Sequence, residues 1–101
     1  MEVTIEKSGA KGLAHLAGRF DIGSSLAFRN AIKSLLHDGE VETMTVDFRE
    51  VSFMDSSALG MLLLLREQAQ QAHKDVVLSS CNADLQRVLS LAQFHRIFRI
   101  E

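Results

Sequence analysis

The order in which strand-like and helix-like segments follow one another constrains this chain most. Val3 and Ile5 alternate with polar neighbours, and Leu13 to Phe20 form a second strand-like segment after a glycine-containing turn, which predicts a hairpin. Three helical segments then alternate with three more strands, in the order β-β-α-β-α-β-α-β. Strands separated by helices pair in parallel through right-handed crossovers. The sequence therefore predicts one domain over residues 1–101, an α/β sandwich in which helices pack on a small mixed sheet.

Each predicted helix begins near a residue that can cap it and carries apolar residues at helical spacing. The predicted elements after the hairpin are a helix capped by Ser24 or Ser25 with the stripe Phe28, Ala31, Ile32 and Leu35, a strand around Met44, Val46 and Phe48, a helix from about Ser56 to His73, a strand at Val76–Leu78, a helix capped by Asn82, and a closing strand around Ile97, Phe98 and Ile100.

Composition and charge exclude several classes of function. The net charge of −2 comes from 11 basic and 13 acidic side chains without a basic cluster, which disfavours a nucleic-acid partner. The four histidines lack metal-ligand spacing, and Cys81 has no activating base nearby, so it is predicted to be a buried spacer. The longest apolar run, Met61 to Leu65, is too short to insert across a membrane. We therefore expect a cytoplasmic protein that is not an enzyme and needs no cofactor or metal.

The most informative segment is VDFREVSFMDSSALGMLLLLR, from Val46 to Arg66, in which a strand ends, a short connector follows, and a helix opens with Asp55, Ser56 and Ser57. Small oxygen-bearing residues at a helix start satisfy unpaired backbone N–H groups, so a cap is the simplest role for this triplet. At about 100° per residue, an apolar stripe forms one face of the helix. Ser56 lies about 160° from the centre of that stripe, and it is the better exposed of the two serines. The members of the stripe are Ala58, Leu62, Leu65, Ala69 and Ala72.

The outer face of the same helix is also apolar. Met61 to Leu65 turn through more than one helical circle, so a single sheet cannot cover all of them. Leu63 and Leu64 should remain partly exposed beside Gly60 and Ser56, unless the first helix or another subunit covers them. An exposed apolar patch beside a small residue favours a protein-docking surface.

The segment FMDSSALG after the VDF strand resembles the phosphoacceptor motif of the STAS domains of anti-sigma factor antagonists, commonly Asp-Ser-Ser/Thr-Gly-Leu-Gly. The segment LAGRFD, from Leu16 to Asp21, resembles the Gly-x-x-Asp element that precedes the first helix in that family. Element order and length agree over nearly the whole chain. Ala58 stands where glycine is usual, and alanine is the better helix former, so this departure leaves the fold unaffected.

The resemblance implies a partner switch in which Ser56, directly after the motif aspartate, is phosphorylated. The unmodified domain would bind an anti-sigma factor or GHKL-type serine kinase, phosphorylation would end that binding, and a cognate phosphatase would reset it. Asp21 and Asp55 would flank the phosphoacceptor, with Ser57, Gly60, Leu63 and Leu64 in the contact area. For Asp55, a helix cap is an equally good role. For Asp21, the alternative role is to stabilise the loop before the first helix. The alternative function within this family is a structural subunit of a membrane lipid-transport ATPase complex.

Overall fold

The computed structural model describes all 101 residues and contains the predicted strands and helices in the predicted order. Two short 3₁₀ turns, Ile22–Ser24 and Phe94–Arg96, join some of them. The elements are β1 (Glu2–Ser8), β2 (Lys11–Phe20), α1 (Ser25–Leu36), β3 (Thr43–Met54), α2 (Ser56–Gln71), β4 (Asp75–Ser79), α3 (Ala83–Leu91) and β5 (Arg99–Ile100).

The five strands lie side by side in the order of the sequence, β1-β2-β3-β4-β5. The β1–β2 hairpin is antiparallel, and every later pair is parallel. Because each crossover moves one strand further in the same direction, right-handed connections place α1, α2 and α3 on the same face of the sheet. The predicted α/β sandwich is confirmed, and the second face of its sheet carries no helix.

The core lies between the sheet and the three helices as one cluster of 22 buried residues. On α2 the predicted stripe is buried as expected at Ala58, Leu62, Leu65 and Ala69. Ala72 is exposed instead, because α2 ends at Gln71 and Ala72 is already its C-cap. The buried face of α2 holds the helix on the sheet and fixes which of its residues point outward.

Strand β3 is longer than predicted. It continues past Phe48 to Met54, although the alternating pattern ends at Phe48. The register against β2 shifts twice, so that β3 carries an extra residue opposite the His15–Ala17 step and another opposite the Gly18–Arg19 step. Each bulge breaks the period of two that identifies a strand in a sequence. The residues after Phe48 were therefore predicted to be a connector, which is wrong.

The start of α1 also differs from the prediction that Ser24 or Ser25 caps it. Ser24 is buried, and its hydroxyl donates to the carbonyl of Arg19 at 2.7 Å instead of capping the helix. The capping side chain is that of Asp21, which accepts from the N–H of Gly23 at 3.1 Å at the start of the 3₁₀ turn. At the third helix the predicted cap is confirmed, since the Asn82 side chain accepts from the N–H of Leu85 at 2.9 Å.

The face of the sheet without helices carries a charged network. His15 Nδ1 lies 2.8 Å from Asp47 Oδ2, and His15 Nε2 lies 3.6 Å from Glu6 Oε2. The hydrogen bond with Asp47 raises the pKa of His15. Partial burial opposes ionisation of Asp47, but hydrogen bonds from the N–H of Arg49 and from His15 lower the pKa of that carboxyl group. When both His15 and Asp47 are charged, their ion pair therefore links β2 to β3.

Stability should depend on pH through His15. Because its pKa is raised in the folded state, its contribution is fully present below the ordinary pKa of 6.5 and is lost as the pH rises through the raised value. We expect His15→Gln to lower the free energy of unfolding more at about pH 5.5, where Asp47 is still ionised, than at about pH 9. Urea denaturation at both pH values measures the difference.

The matched control is His95→Gln, which removes an exposed imidazole that belongs to none of the ion pairs of the structure. If His15→Gln loses the same stability at both pH values, or no more than the control, the His15–Asp47 ion pair does not stabilise the fold as described.

Candidate partner-docking site

The candidate site lies at the carboxyl ends of β2 and β3. The two strands end side by side, with Phe20 opposite Met54, and the N–H of Asp55 donates to the carbonyl of Phe20 at 3.4 Å. Asp21 and Asp55 each follow directly on one of these strands. The structure thus brings both motif aspartates to one edge of the sheet.

Asp55 forms the N-cap of α2. Its backbone is extended, and its Oδ1 accepts from the N–H of Ala58 at 3.2 Å. This bond satisfies one of the N–H groups that have no partner in the first turn of a helix. Asp21, after the neighbouring strand β2, caps the 3₁₀ turn Ile22–Ser24 in the same way. The capping role is therefore observed for both aspartates.

The two serines of the triplet differ in accessibility, as the helical-wheel argument predicted. Ser56 is the first residue of α2 and is exposed, whereas Ser57 is half-buried. Ser56 is therefore accessible to solvent. A phosphate at this position would lie at the N-terminal end of a helix of 16 residues, where the helix dipole favours negative charge.

Apolar surface continues along α2 from Ser56. Leu63 and Leu64 are 44% and 43% exposed, and Gly60 is exposed as well. The first helix does not cover them: an open groove of about 300 Å³ remains between α1 and α2. Ser57, Gly60 and Leu64 line this groove from the α2 side. The predicted exposure of Leu63 and Leu64 is confirmed.

Sequence reasoning missed the contribution of the segment around the start of α1. Ile22 and Leu26 are 72% and 69% exposed, and Ile22 lines the groove opposite α2. Both residues lie outside the stripe of α1 that faces the core. Apolar residues outside a buried stripe are the signal that could have identified them. Together Ile22, Leu26, Gly60, Leu63 and Leu64 form what we call the α1–α2 surface.

A stacked pair borders Asp21 on the sheet side. The guanidinium carbon of Arg19 lies 4.1 Å from the centre of the Phe53 ring, and Arg19 Nε lies 3.5 Å from Asp21 Oδ2. Phe53 is 39% exposed. This aromatic side chain was missed because it follows the bulges of β3, where the alternating pattern no longer applies. Arg19 and Phe53 add a cationic and an aromatic element at the same sheet edge.

The single cysteine of the chain, Cys81, lies in the interior. Cys81 is buried as predicted, and burial raises the pKa of its thiol to about 11, so it is protonated at neutral pH. No group of three or more His, Cys, Asp or Glu side chains is placed to hold a metal ion. None of the helices has the length and apolar composition that crossing a membrane requires.

The chain belongs to the STAS domain family, since residues 3–99 match the family model described as "Mlab, STAS domain". A STAS-domain containing protein of Pseudomonas aeruginosa (strain UCBPP-PA14) is 35% identical over 85 residues, which cover 84% of this chain and 82% of that protein. This match confirms the family that the motifs at Asp21 and Asp55 indicated.

Solved structures show the same fold at low sequence identity. An anti-sigma factor antagonist from Mycobacterium paratuberculosis superposes with a TM-score of 0.85 at 17% identity, covering 97% of this chain and 82% of that one. The Bacillus cell fate determinant SpoIIAA in its phosphorylated form gives a TM-score of 0.74 at 20% identity, covering 98% and 90%. The STAS-like sandwich is therefore confirmed for nearly the whole chain.

Replacing Asp55 tests whether its hydrogen bond or its charge stabilises the start of α2. Asp55→Ala removes the cap and should lower the free energy of unfolding by about 0.5–2 kcal/mol. Asp55→Asn keeps an oxygen that accepts from the N–H of Ala58, so its stability should stay within about 0.5 kcal/mol of the parent. Urea denaturation of the three proteins measures this. Equal losses in both variants would show that the carboxylate charge, and not the hydrogen bond, stabilises the start of α2.

Proposed function

We propose that this STAS domain is a partner-switching regulator of the anti-sigma factor antagonist type. With Ser56 unmodified, it binds an anti-sigma factor or GHKL-type serine kinase through the α1–α2 surface. Phosphorylation of Ser56 by the kinase releases the partner, and a phosphatase restores binding. The chain acts in the cytoplasm as a binding module, not as an enzyme. The observation that carries the proposal is the exposed Ser56 at the start of α2, on the same helix as the exposed residues Gly60, Leu63 and Leu64.

The physical basis is that one phosphate has opposite effects on the fold and on the contact. A phosphoserine adds about −1.5 to −2 charges at neutral pH. At the N-terminus of α2 this charge is favourable, so the domain stays folded. In a contact formed by Leu63, Leu64 and Ile22, the same dianion must lose its hydration beside the carboxylate of Asp55. A penalty of about 3 kcal/mol would lower the affinity for the partner by about a hundredfold.

The structural relatives support this function. The protein from Mycobacterium paratuberculosis is described as an anti-sigma factor antagonist. SpoIIAA, also an anti-sigma factor antagonist, has been solved in both unphosphorylated and phosphorylated forms. This chain shares their fold and presents a serine directly after an aspartate at the start of α2. Asp21, Asp55 and Ser57 would then form the polar rim of the contact around the phosphoacceptor.

A second candidate is a structural subunit of a membrane lipid-transport ATPase complex. The observation in its favour is the length of the apolar surface. Leu63 and Leu64 lie about two turns beyond Ser56 along α2, so a partner can dock on them without contacting the hydroxyl. Such a subunit would remain bound whatever the state of Ser56.

The two candidates are separated by affinity capture from cells that produce the protein. The baits are the parent chain, Ser56→Ala, Ser56→Asp and the matched control Ser90→Asp, which adds the same charge at an exposed position of α3. We expect the parent, Ser56→Ala and Ser90→Asp to retain a protein with a GHKL-type ATPase domain and Ser56→Asp to lose it. With the captured partner purified, calorimetry should show at least about tenfold weaker binding for Ser56→Asp.

Equal affinity of Ser56→Ala and Ser56→Asp for that partner would overturn the switch. Recovery of a transporter ATPase by all four baits would favour the structural subunit. Thermal denaturation of each bait shows whether it is folded. Leu64→Asp, which places a charge on the α1–α2 surface without changing Ser56, should lose the partner under either candidate function.

A further inference from the structure

A second cavity lies on the other flank of α2, away from the groove beside α1. It has a volume of about 400 Å³, within the range of small-molecule sites in proteins. Its walls are the second half of α2, the beginning of β4 and the segment that leads into β5. Arg66, on its wall, lies about 15 Å along the helix axis from Ser56. The cavity is therefore separate from the candidate docking site.

The cavity exists because β5 is too short to cover its neighbour. β5 has two residues and pairs only with Val77 and Leu78 of β4. β4 begins at Asp75, so Asp75 and Val76 extend beyond the region paired with β5. The chain before β5 turns away through the 3₁₀ turn Phe94–Arg96. The edge of β4 is left open beside α2 at this end, with Val76, Val77, Ile97 and Phe98 as the apolar part of the cavity lining.

Cationic side chains from three elements surround this apolar lining. Arg66 comes from α2, Lys74 from the α2–β4 connection and Arg99 from β5, with Asp75 the one acidic residue in the wall. In a chain with a net charge of −2, three cations around one cavity are a local excess of positive charge. Lys74 serves the fold, because its ammonium group donates to the carbonyl of Asp38 at 2.7 Å. The two arginines are the candidates for ligand contacts.

Arg66 is held in place without being neutralised. Its Nε donates to the carbonyl of Ile97 at 3.1 Å, which uses one of five N–H donors. Arg66 belongs to none of the ion pairs of the structure, and it is half-buried. The fixed Nε leaves the two terminal nitrogens available, a fork that matches the oxygens of a carboxylate or phosphate. Arg99 pairs with Glu101 at 2.7 Å, but both side chains are largely exposed, so this pair is easily exchanged.

We propose that this cavity binds a small organic anion, in which a phosphate or carboxylate group contacts Arg66 and Arg99 and an apolar body lies against Val76, Val77 and Phe98. A ligand of this class uses both the cationic groups and the apolar surface of the cavity. A bare inorganic anion would use only the arginines, and a neutral apolar molecule only the lining. The site is independent of the phosphorylation of Ser56.

The test is an NMR titration of the ¹⁵N-labelled full chain with phenyl phosphate at constant ionic strength. We expect saturable shifts at the amides of Val76, Val77 and Phe98, and much weaker responses to inorganic phosphate and to benzyl alcohol. Arg66→Gln and Arg99→Gln should each weaken phenyl phosphate binding by at least about fivefold, since each removes charged hydrogen bonds. Arg87→Gln, at an exposed arginine of α3 outside the cavity, is the matched control and should bind as the parent does.

Shifts that do not saturate, or that are the same in Arg66→Gln, Arg99→Gln and Arg87→Gln, would overturn the proposal. Arg66→Gln removes the hydrogen bond to Ile97 and could loosen the segment before β5. Arg99→Gln then still tests the proposal, because the Arg99 side chain is 74% exposed and its replacement should leave the fold unchanged. Binding of inorganic phosphate as tight as that of phenyl phosphate would also contradict it, since the apolar lining would then contribute nothing. Ser56→Asp should bind phenyl phosphate as the parent does, which keeps this result separate from the outcome of the partner-capture experiment.

Discussion

Helix α2 has more apolar surface than one sheet can cover, and the rest of the molecule depends on this constraint. Ala58, Leu62, Leu65 and Ala69 are buried in the core. Because the strands follow one another in sequence order, all helices lie on one face, and no second layer lies outside α2. The leucines between the buried positions must therefore meet solvent or a partner. The apolar outer face is a consequence of the topology combined with five successive apolar residues, Met61 to Leu65.

Strand β3 determines what stands at the beginning of that surface. Its bulges let the strand run 12 residues to Met54 while it stays in the sheet. Met54 then ends opposite Phe20, so that Asp55 and Asp21 cap neighbouring elements from one sheet edge. The two caps order the backbone around Ser56 without covering its hydroxyl. A rigid, satisfied backbone beneath an exposed hydroxyl suits a modification that changes contacts and leaves the fold intact.

Most of the fold and much of the candidate site could be predicted from the sequence. Helix stripes and the hairpin follow from local periodicity, and the exposure of Ser56 follows from counting 100° per residue along α2. The second half of β3 could not be predicted, because its bulges depend on pairing with β2 and leave no alternating pattern. Residue type predicts Ser24 or Ser25 as the cap of α1, because it does not show that the Ser24 hydroxyl is directed at the carbonyl of Arg19. The cationic cavity could not be predicted either, since Arg66 and Arg99 are distant in sequence and line one cavity only in the folded chain.

Under the proposed switch, phosphate on Ser56 changes the docking surface and leaves the domain folded. Amide hydrogen exchange, compared between the unmodified chain and the chain with phosphoserine at position 56, tests this most directly. We predict that exchange changes only in the first turn of α2 and around Asp21, while the amides of β2, β3 and the buried face of α2 keep their protection. Loss of protection throughout the sheet would contradict the account, because phosphorylation would then act by unfolding the domain.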